Sequence, residues 1–396
     1  MITLDDALAC IRDRIQPLGA ETIPLGDGHR RWLAAPLVAR RTQPPFDASA
    51  MDGYAVRSGD LTGVEVTLTL AGESAAGHAS HRPLGAGEAI RISTGAPLPA
   101  GADQVVIQEN CQTADGRMTT AEPPRPGANI RRAGIDFMTG DTLLEAGQRL
   151  TPAAISLATS AGHSTLLVSR QPVVGILSTG DELVEAGEDA APDQIINSIA
   201  PGLSALIEAC GGQPRYLGIA RDDPAQVRGK LSQTGALDLL VTIGGASVGD
   251  HDHLRRVFGE LGGTLFFEKI AIKPGKPTWF GQLAKTPVIG LPGNPVSALV
   301  MAQLCLKPTL HRMLGIEIPT VFQTARLKSA LPANGPRENM IRAQYDGPTG
   351  QIRPLANQDS SVLSALAAAN ALIRQPAHAV AAESGETVEF LPLESE

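Results

Sequence analysis

The chain has 396 residues and a formal net charge of -8, with 43% hydrophobic and 19% charged residues. At roughly 100–200 residues per domain this is a globular protein of two to four domains. The acidic balance argues against a phosphate-backbone partner, which needs a basic surface, and no apolar run approaches the ~20 residues of a membrane helix, so neither nucleic acid nor membrane is expected as a partner.

The opening "MITLDDALACIRDRI" is charged where a signal peptide would be apolar, and its Thr3 and Asp6 predict a capped amphipathic helix. Residues 25–139 read as a β-rich domain, compatible with a barrel. Val64–Gly72 alternates with period two, Ala102–Asn110 is a second strand, and Gly/Pro-rich turns separate such pieces. A helix is expected from Thr151 to about Ala161, and residues 1–24 and 140–170 together read as a helical, linking domain. Over 171–319 buried strands alternate with helices, which predicts a doubly wound, mostly parallel α/β domain. Ser198 is its expected N-cap on the helix that Gly211 and Gly212 close. Residues 320–396 return to short strands and predict a small C-terminal β-domain, so the fold class is α/β multidomain. Cys10, Cys111, Cys210 and Cys305 stand too far apart for a zinc or redox motif, which fits a reducing cytoplasm.

In an open parallel sheet, ligands bind at the carboxyl ends of the strands. Three strand exits here carry unusual polar loops. Ser178–Glu182 sets Asp181 and Glu182 directly after a strand. Gly244–Asp252 supplies Gly244, Gly245, Ser247 and Gly249. In Pro292–Pro295, Asn294 can cap a helix and Pro295 suits its first position. Glycine-rich turns that open helices expose backbone N–H groups to an anion, and nearby carboxylates suit Mg²⁺, which takes oxygen ligands and bridges to phosphates. "AIKPGKPTW" (Ala271–Trp279) adds Lys273 and Lys276 on a turn stiffened by Pro274 and Pro277, so two ammonium groups are expected to face a common point. These parts suit a phosphorylated or oxyanionic small molecule with a divalent metal. Singly they are weak: "GGASVG" matches neither a phosphate loop nor a dinucleotide fingerprint, "PGNP" is a common helix start, and Asp250–His253 lacks zinc-ligand spacing.

In combination the blocks are specific. "PPFDASAMDGYAVR" (Pro44–Arg57), "IRISTGAPLP" (Ile90–Pro99), "GANIRRAGID" (Gly127–Asp136), "ILSTGDEL", "IGGASVGDHD", "IKPGKP" and "GLPGNPVSA", in this order, resemble the molybdopterin molybdenumtransferase family, which includes the E domain of gephyrin. The resemblance covers essentially the whole chain. It implies transfer of molybdenum from molybdate into the dithiolene of adenylylated molybdopterin, with Mg²⁺-dependent release of AMP. By the same resemblance Lys273, Lys276, Pro277, Ser297, Arg342 and Ser360 would line an oxyanion pocket, while the residues of the Gly244 and Pro292 loops would hold the cofactor substrate. Asp52, Asp136, Glu182 and Asp252 would handle Mg²⁺ and promote loss of the adenylate, Glu182 and Asp252 as metal ligands, with Thr94 assisting. It also implies a cytoplasmic homodimer in which the Asp52 side of one subunit serves the α/β domain of the other, and a transient contact with the molybdopterin adenylyltransferase. The departures are Asn197-Ser198-Ile199 for a usual Asp/Asn-Ser-Asn, Ala246 for a usual valine, and "QDSS" (Gln358–Ser361) for a usual Gln-Gly-Ser. Two other readings stand beside this one. The adenylyltransferase shares the "GGASVGDHD" loop and lacks the N-terminal block and the C-terminal β-domain. A non-catalytic gephyrin-like scaffold would be favoured by loss of several carboxylates, and none of the four is lost.

Overall fold

The computed structural model describes residues 1–232, 234–245, 253–316 and 322–393. The chain divides into two compact units, Thr22–Leu167 and the combination of Met1–Glu21 with Val168–Glu396.

In the first unit six strands form one sheet in the order Gln104–Ile107, Gly53–Val56, Glu88–Ile92, Val66–Ser74, Arg117–Thr120, Cys111–Ala114. The two outermost strands are consecutive in the chain, joined by the 3₁₀ turn Gln108–Asn110. Laid flat they would stand ~24 Å apart, whereas about four residue steps reach at most ~14 Å. The sheet therefore curls toward itself, and the barrel-like character expected of this region is a curled sheet whose two outermost strands are not paired with each other. Its alternating side chains bury two clusters, Tyr54, Val56, Leu68 and Met118 in one, Ala55, Ile92 and Val105 in the other. The helix Pro152–Ser160, capped by the Thr151 hydroxyl, follows this sheet in sequence.

In the second unit the parallel strands run Gln213–Ala220, Val173–Thr179, Leu239–Ile243, Thr286–Leu291, and the sheet continues antiparallel through Trp279–Leu283 and Thr264–Phe267. Both faces are covered. Val174, Ile176, Val241 and Ile289 pack with Leu203 and Ile207 of the helix Ile199–Ala209 and with Leu4, Ala7 and Ile11 of the first helix. Leu177, Leu240, Val288 and Trp279 pack on the other side with Val227, Val257 and Phe258. Continuous apolar strands and helices on both faces are the two halves of one requirement, since a sheet buried twice has no polar face. The capping box of Thr3 and Asp6 forms as expected. Ser198 occupies the N-cap position of Ile199–Ala209, but its backbone is helical (φ -87, ψ -17) and its hydroxyl makes no cap bond. That is a correction to the expected cap, because capping needs an extended residue whose oxygen reaches back over the first turn.

The helix that starts at Pro295 runs to Met301, widens into a π turn over Ala302–Leu306, and resumes as Lys307–Met313. Pro308 explains the widening: it lacks an N–H and its ring would meet the carbonyl four residues earlier. Beyond it, Glu338–Asp346, Gln351–Pro354, Gln323–Leu327, Thr387–Pro392 and Ala371–Gln375 pair in turn, and the last pairs back onto the first. The C-terminal β-domain is thus a closed barrel around Ile341, Ile352, Ile373 and Phe390. Ile272–Lys273 adds to its edge, with Ile272 opposite Glu338 and Lys273 opposite Asn339.

Candidate functional site

The chain passes from Val173–Thr179 outward to a neighbour on one side, then returns to Leu239–Ile243 on the other. The reversal opens a crevice between the exits of these two strands, where doubly wound sheets take their ligands. A cleft of about 730 Å³ lies there. All three strand exits named from sequence line it: Gly180 and Glu182, Gly244 and Gly245, and Pro292, Gly293, Asn294 and Pro295. Their approach requires glycine. A Cβ on Gly244 would lie 2.7 Å from the Thr179 carbonyl oxygen, and one on Gly180 only 2.3 Å from Oε2 of Glu182. The Glu182 carboxylate lies over Gly180. Ser247, Gly249 and Asp252, like the rest of the Asp250–Asp252 run, lie outside the described residues.

The opposite wall is cationic. Lys276 and Pro277 line the cleft, joined by Lys269, and the Ile270 N–H donates to the Lys276 carbonyl at 3.0 Å, which ties the two lysine-bearing stretches together. Ile2 fixes the base of this segment: its N–H donates to the Lys269 carbonyl at 3.1 Å, and its carbonyl accepts from Ala271 at 2.7 Å. Lys273 is not among the lining residues. It is exposed, on the strand pair that joins this segment to the C-terminal barrel.

Three residues along the same barrel strand from Asn339 stands Arg342. Its side chain is 1% exposed and its buried Nε has no hydrogen-bond partner, although Nη2 donates to the Asn357 carbonyl at 3.2 Å. Burial lowers its pKa and the nearby Asp359 opposes this, so the guanidinium stays charged while lacking a full set of acceptors. Gln358 holds the Arg342 backbone from both sides, accepting from its N–H and donating to its carbonyl, each at 3.0 Å. The neighbouring Ser360 reaches the cleft loop: its hydroxyl accepts from Asn294 Nδ2 at 3.1 Å and its carbonyl from the Val296 N–H at 3.2 Å. Asn294 therefore spends its side chain on the barrel domain rather than on the helix cap expected of it. Ser297 is buried one turn into that helix. Arg342, Ser297 and Ser360 do not line the cleft as it stands.

The other unit holds a separate pair. The Asp52 carboxylate accepts from the Thr94 N–H at 2.6 Å and from its hydroxyl at 3.0 Å. These two bonds, the backbone one first, hold Asp52 below the usual carboxylate range, with Arg91 contributing. The charged form is thus favoured above the ordinary pKa, and the Thr94 contacts are lost as the pH falls through the lowered value. Replacing Thr94 by Ala removes only the smaller of the two bonds. NMR titration of Asp52 should then show its pKa rising part of the way; full return to the ordinary value would refute the leading role of the backbone N–H. Asp136 lies on another loop of this unit, anchored by its N–H to the Gln43 carbonyl at 3.1 Å.

Lys269 and Asp222 line the cleft without having been singled out by sequence. Asp222 is the first of the two aspartates that end the "RYLGIARDD" stretch (Arg215–Asp223), and its N–H donates to the Asp181 carboxylate at 3.0 Å, beside the first exit. A strand ending in two aspartates was the available signal. Among the described residues no three His, Cys, Asp or Glu stand together as a metal cluster. The carboxylates that the cleft does present, Glu182 and Asp222, are oxygen donors alone, and a hard cation that keeps waters and substrate phosphates in its shell fits such a set.

Fold and cleft define the class: a multidomain α/β protein with a cleft at the switch point of a doubly wound sheet, lined by glycine-rich strand exits and by Lys269 and Lys276. The comparisons with known proteins agree along the length of the chain. Residues 2–162 match the MoeA N-terminal region (domains I and II), 175–312 the probable molybdopterin-binding domain, and 324–393 the MoeA C-terminal region (domain IV). The molybdopterin molybdenumtransferase of Haemophilus influenzae is 36% identical over 400 residues, covering 99% of this chain and 98% of its own. That of Bacillus subtilis is 34% identical over 388 residues, covering 95% and 90%. The crystal structure of the molybdopterin biosynthesis MoeA protein of Pyrococcus horikoshii superposes with a TM-score of 0.87 at 31% identity, covering 100% of both chains. The chain belongs to the molybdopterin molybdenumtransferase (MoeA) family.

Proposed function

We propose that this protein inserts molybdenum from molybdate into adenylylated molybdopterin and releases AMP. The observation that carries the reading is the buried, under-partnered guanidinium of Arg342, set on the strand that Lys273 joins and beside the loop that Ser360 ties to Asn294. A buried cation with an unmatched donor wants an anion, and a tetrahedral dianion offers several acceptors at once. Lys273, Lys276, Pro277, Ser297, Arg342 and Ser360 would bind molybdate. Gly244, Gly245, Ser247, Gly249, Pro292, Asn294 and Pro295 would present backbone and amide groups to the phosphates of the pterin substrate. Glu182 and Asp252 would hold Mg²⁺, which when bound neutralises charge on the phosphoanhydride. Asp52, kept ionised by Thr94, and Asp136 would act on the adenylate from the partner subunit of a homodimer, and delivery of the adenylylated substrate would involve a transient contact with the adenylyltransferase. The described residues contain no helix long and apolar enough to cross a membrane, and cytoplasmic work on diffusible substrates follows from this reading.

The test is AMP release by the purified protein, given adenylylated molybdopterin and Mg²⁺, with and without molybdate. The reading requires release that depends on molybdate. Consumption of ATP with free molybdopterin would replace it by the adenylyltransferase reading, and binding of the adenylate with no release would replace it by the scaffold.

A further inference from the structure

One wall of the cleft is apolar and is carried by a flap. Two very short parallel strands, Leu183–Val184 and Ile195–Ile196, pair across the acidic segment 185–194. Leu183, Ile195 and Ile196 all line the cleft, and the two isoleucines are 57% and 46% exposed. Leu183 and Ile195 stand opposite each other in this pair and share a face, and exposed apolar side chains lining a ligand cleft suit a ligand's apolar face. Strands of this length cannot hold themselves in place. Something else must fix the wall.

A chain of side-chain hydrogen bonds does so. Asn197, which follows the second short strand, is 3% exposed and donates through Nδ2 to the Tyr216 hydroxyl at 2.8 Å. That hydroxyl donates to Oε1 of Glu185, which follows the first short strand, at 2.7 Å. Ser178 Oγ donates to the Asn197 Oδ1 at 3.3 Å from the fully buried end of its own sheet strand. Tyr216 lies on the outermost parallel strand, Gln213–Ala220. One phenol thus bolts both ends of the flap to the sheet. Burial raises its pKa well above the ordinary tyrosine range, with Glu185 adding to the effect, so the donated proton is retained. Arg221 holds the flap's base separately, donating to the Asp181 and Leu183 carbonyls at 2.7 and 2.9 Å.

We propose that Tyr216 is a positioning residue whose hydroxyl fixes the Leu183–Asn197 flap, so that Leu183, Ile195 and Ile196 present a preformed wall to the planar organic part of the substrate. The identity of that substrate rests on the function proposed above; the bolting of the flap does not. A wall that must be ordered at the moment of binding costs affinity for the group it touches, and leaves the oxyanion on the opposite wall unaffected.

The test uses the full-length protein with Tyr216→Phe, which keeps the ring and removes the hydroxyl, alongside Glu185→Ala and Glu185→Gln. Hydrogen exchange of the flap amides should quicken by roughly three- to tenfold in Tyr216→Phe and Glu185→Ala, as expected for loss of one hydrogen bond. The KM for adenylylated molybdopterin should rise by a similar factor, with the KM for molybdate and kcat held within about twofold. Glu185→Gln retains an acceptor oxygen and should restore both readouts. Unchanged exchange in Tyr216→Phe overturns the bolt, whatever the protein turns over. Quickened exchange with both KM values and kcat altered together overturns the claim that the flap serves only the organic half. If the wild type fails to turn over, the proposed function falls, and the exchange experiment still decides the role of the hydroxyl.

Discussion

Replacement of Lys276 by Ala raises the KM for molybdate by ~10- to 100-fold, the loss expected for one charge-assisted hydrogen bond of about 1.5–3 kcal/mol. The expectation rests on placement. Lys276 stands on the cleft wall with Lys269, and the turn between Lys273 and Lys276 is held by hydrogen bonds from the Thr278 N–H and hydroxyl to the Gly275 carbonyl at 3.0 and 2.8 Å. Gly275 has φ +111, and a Cβ there would fall 2.3 Å from the buried Met301 side chain, so the turn is fixed from behind as well. A backbone so constrained fixes where the lysine stem leaves the wall, so no loop ordering is added to the cost of meeting the ligand. The KM for adenylylated molybdopterin should move by less than about threefold, since its apolar and phosphate contacts lie elsewhere in the cleft. Steady-state AMP release at varied concentrations of each substrate separates the two, and an unchanged molybdate KM would remove Lys276 from the oxyanion site.

Replacement of Gly290 by Ala destabilises the protein by about 3 kcal/mol or more, the upper range for overpacking a core. A Cβ at this position would lie 1.8 Å from Nε1 of Trp279, the side chain that fills the gap over the glycine. Trp279 has no room to yield: it is fully buried and its ring stands edge-on to Phe258 at 5.2 Å. Its strand pairs with that of Gly290, with the two residues directly opposite. The predicted result is a lower urea midpoint with an unchanged m-value. Stability within about 0.5 kcal/mol of the wild type, the range of an ordinary surface change, would show that the indole can be displaced.

What the sequence discloses about this fold follows from how local each signal is. The Thr3 and Asp6 capping box is complete within one helical turn and forms as read. The strands of the α/β domain announce themselves because burial on both faces leaves no polar position, and their glycine-rich exits follow directly in sequence. Long-range placement is less legible. Lys269 becomes a cleft residue because Ile2, from the other end of the chain, pairs beside it. Asp222 joins the cleft because its strand is set next to Val173–Thr179, which no spacing reveals. Lys273 pairs with Asn339 of the barrel while Lys276 lines the cleft, so the backbone of one lysine turn is held by a strand some sixty residues away that no spacing reveals. Ser198 and Asn294 both fill the expected cap positions and neither caps. In the second case the amide has a partner, Ser360, that only the tertiary fold supplies.

The central claim is that molybdenum enters the pterin on this protein and that AMP leaves as it does. The most direct measurement is the molybdenum content of the pterin product recovered after reaction with adenylylated molybdopterin and molybdate, set against the AMP released. Equimolar molybdenum and AMP is the predicted result. AMP released in equal amount without molybdate, into a product free of molybdenum, would contradict the account.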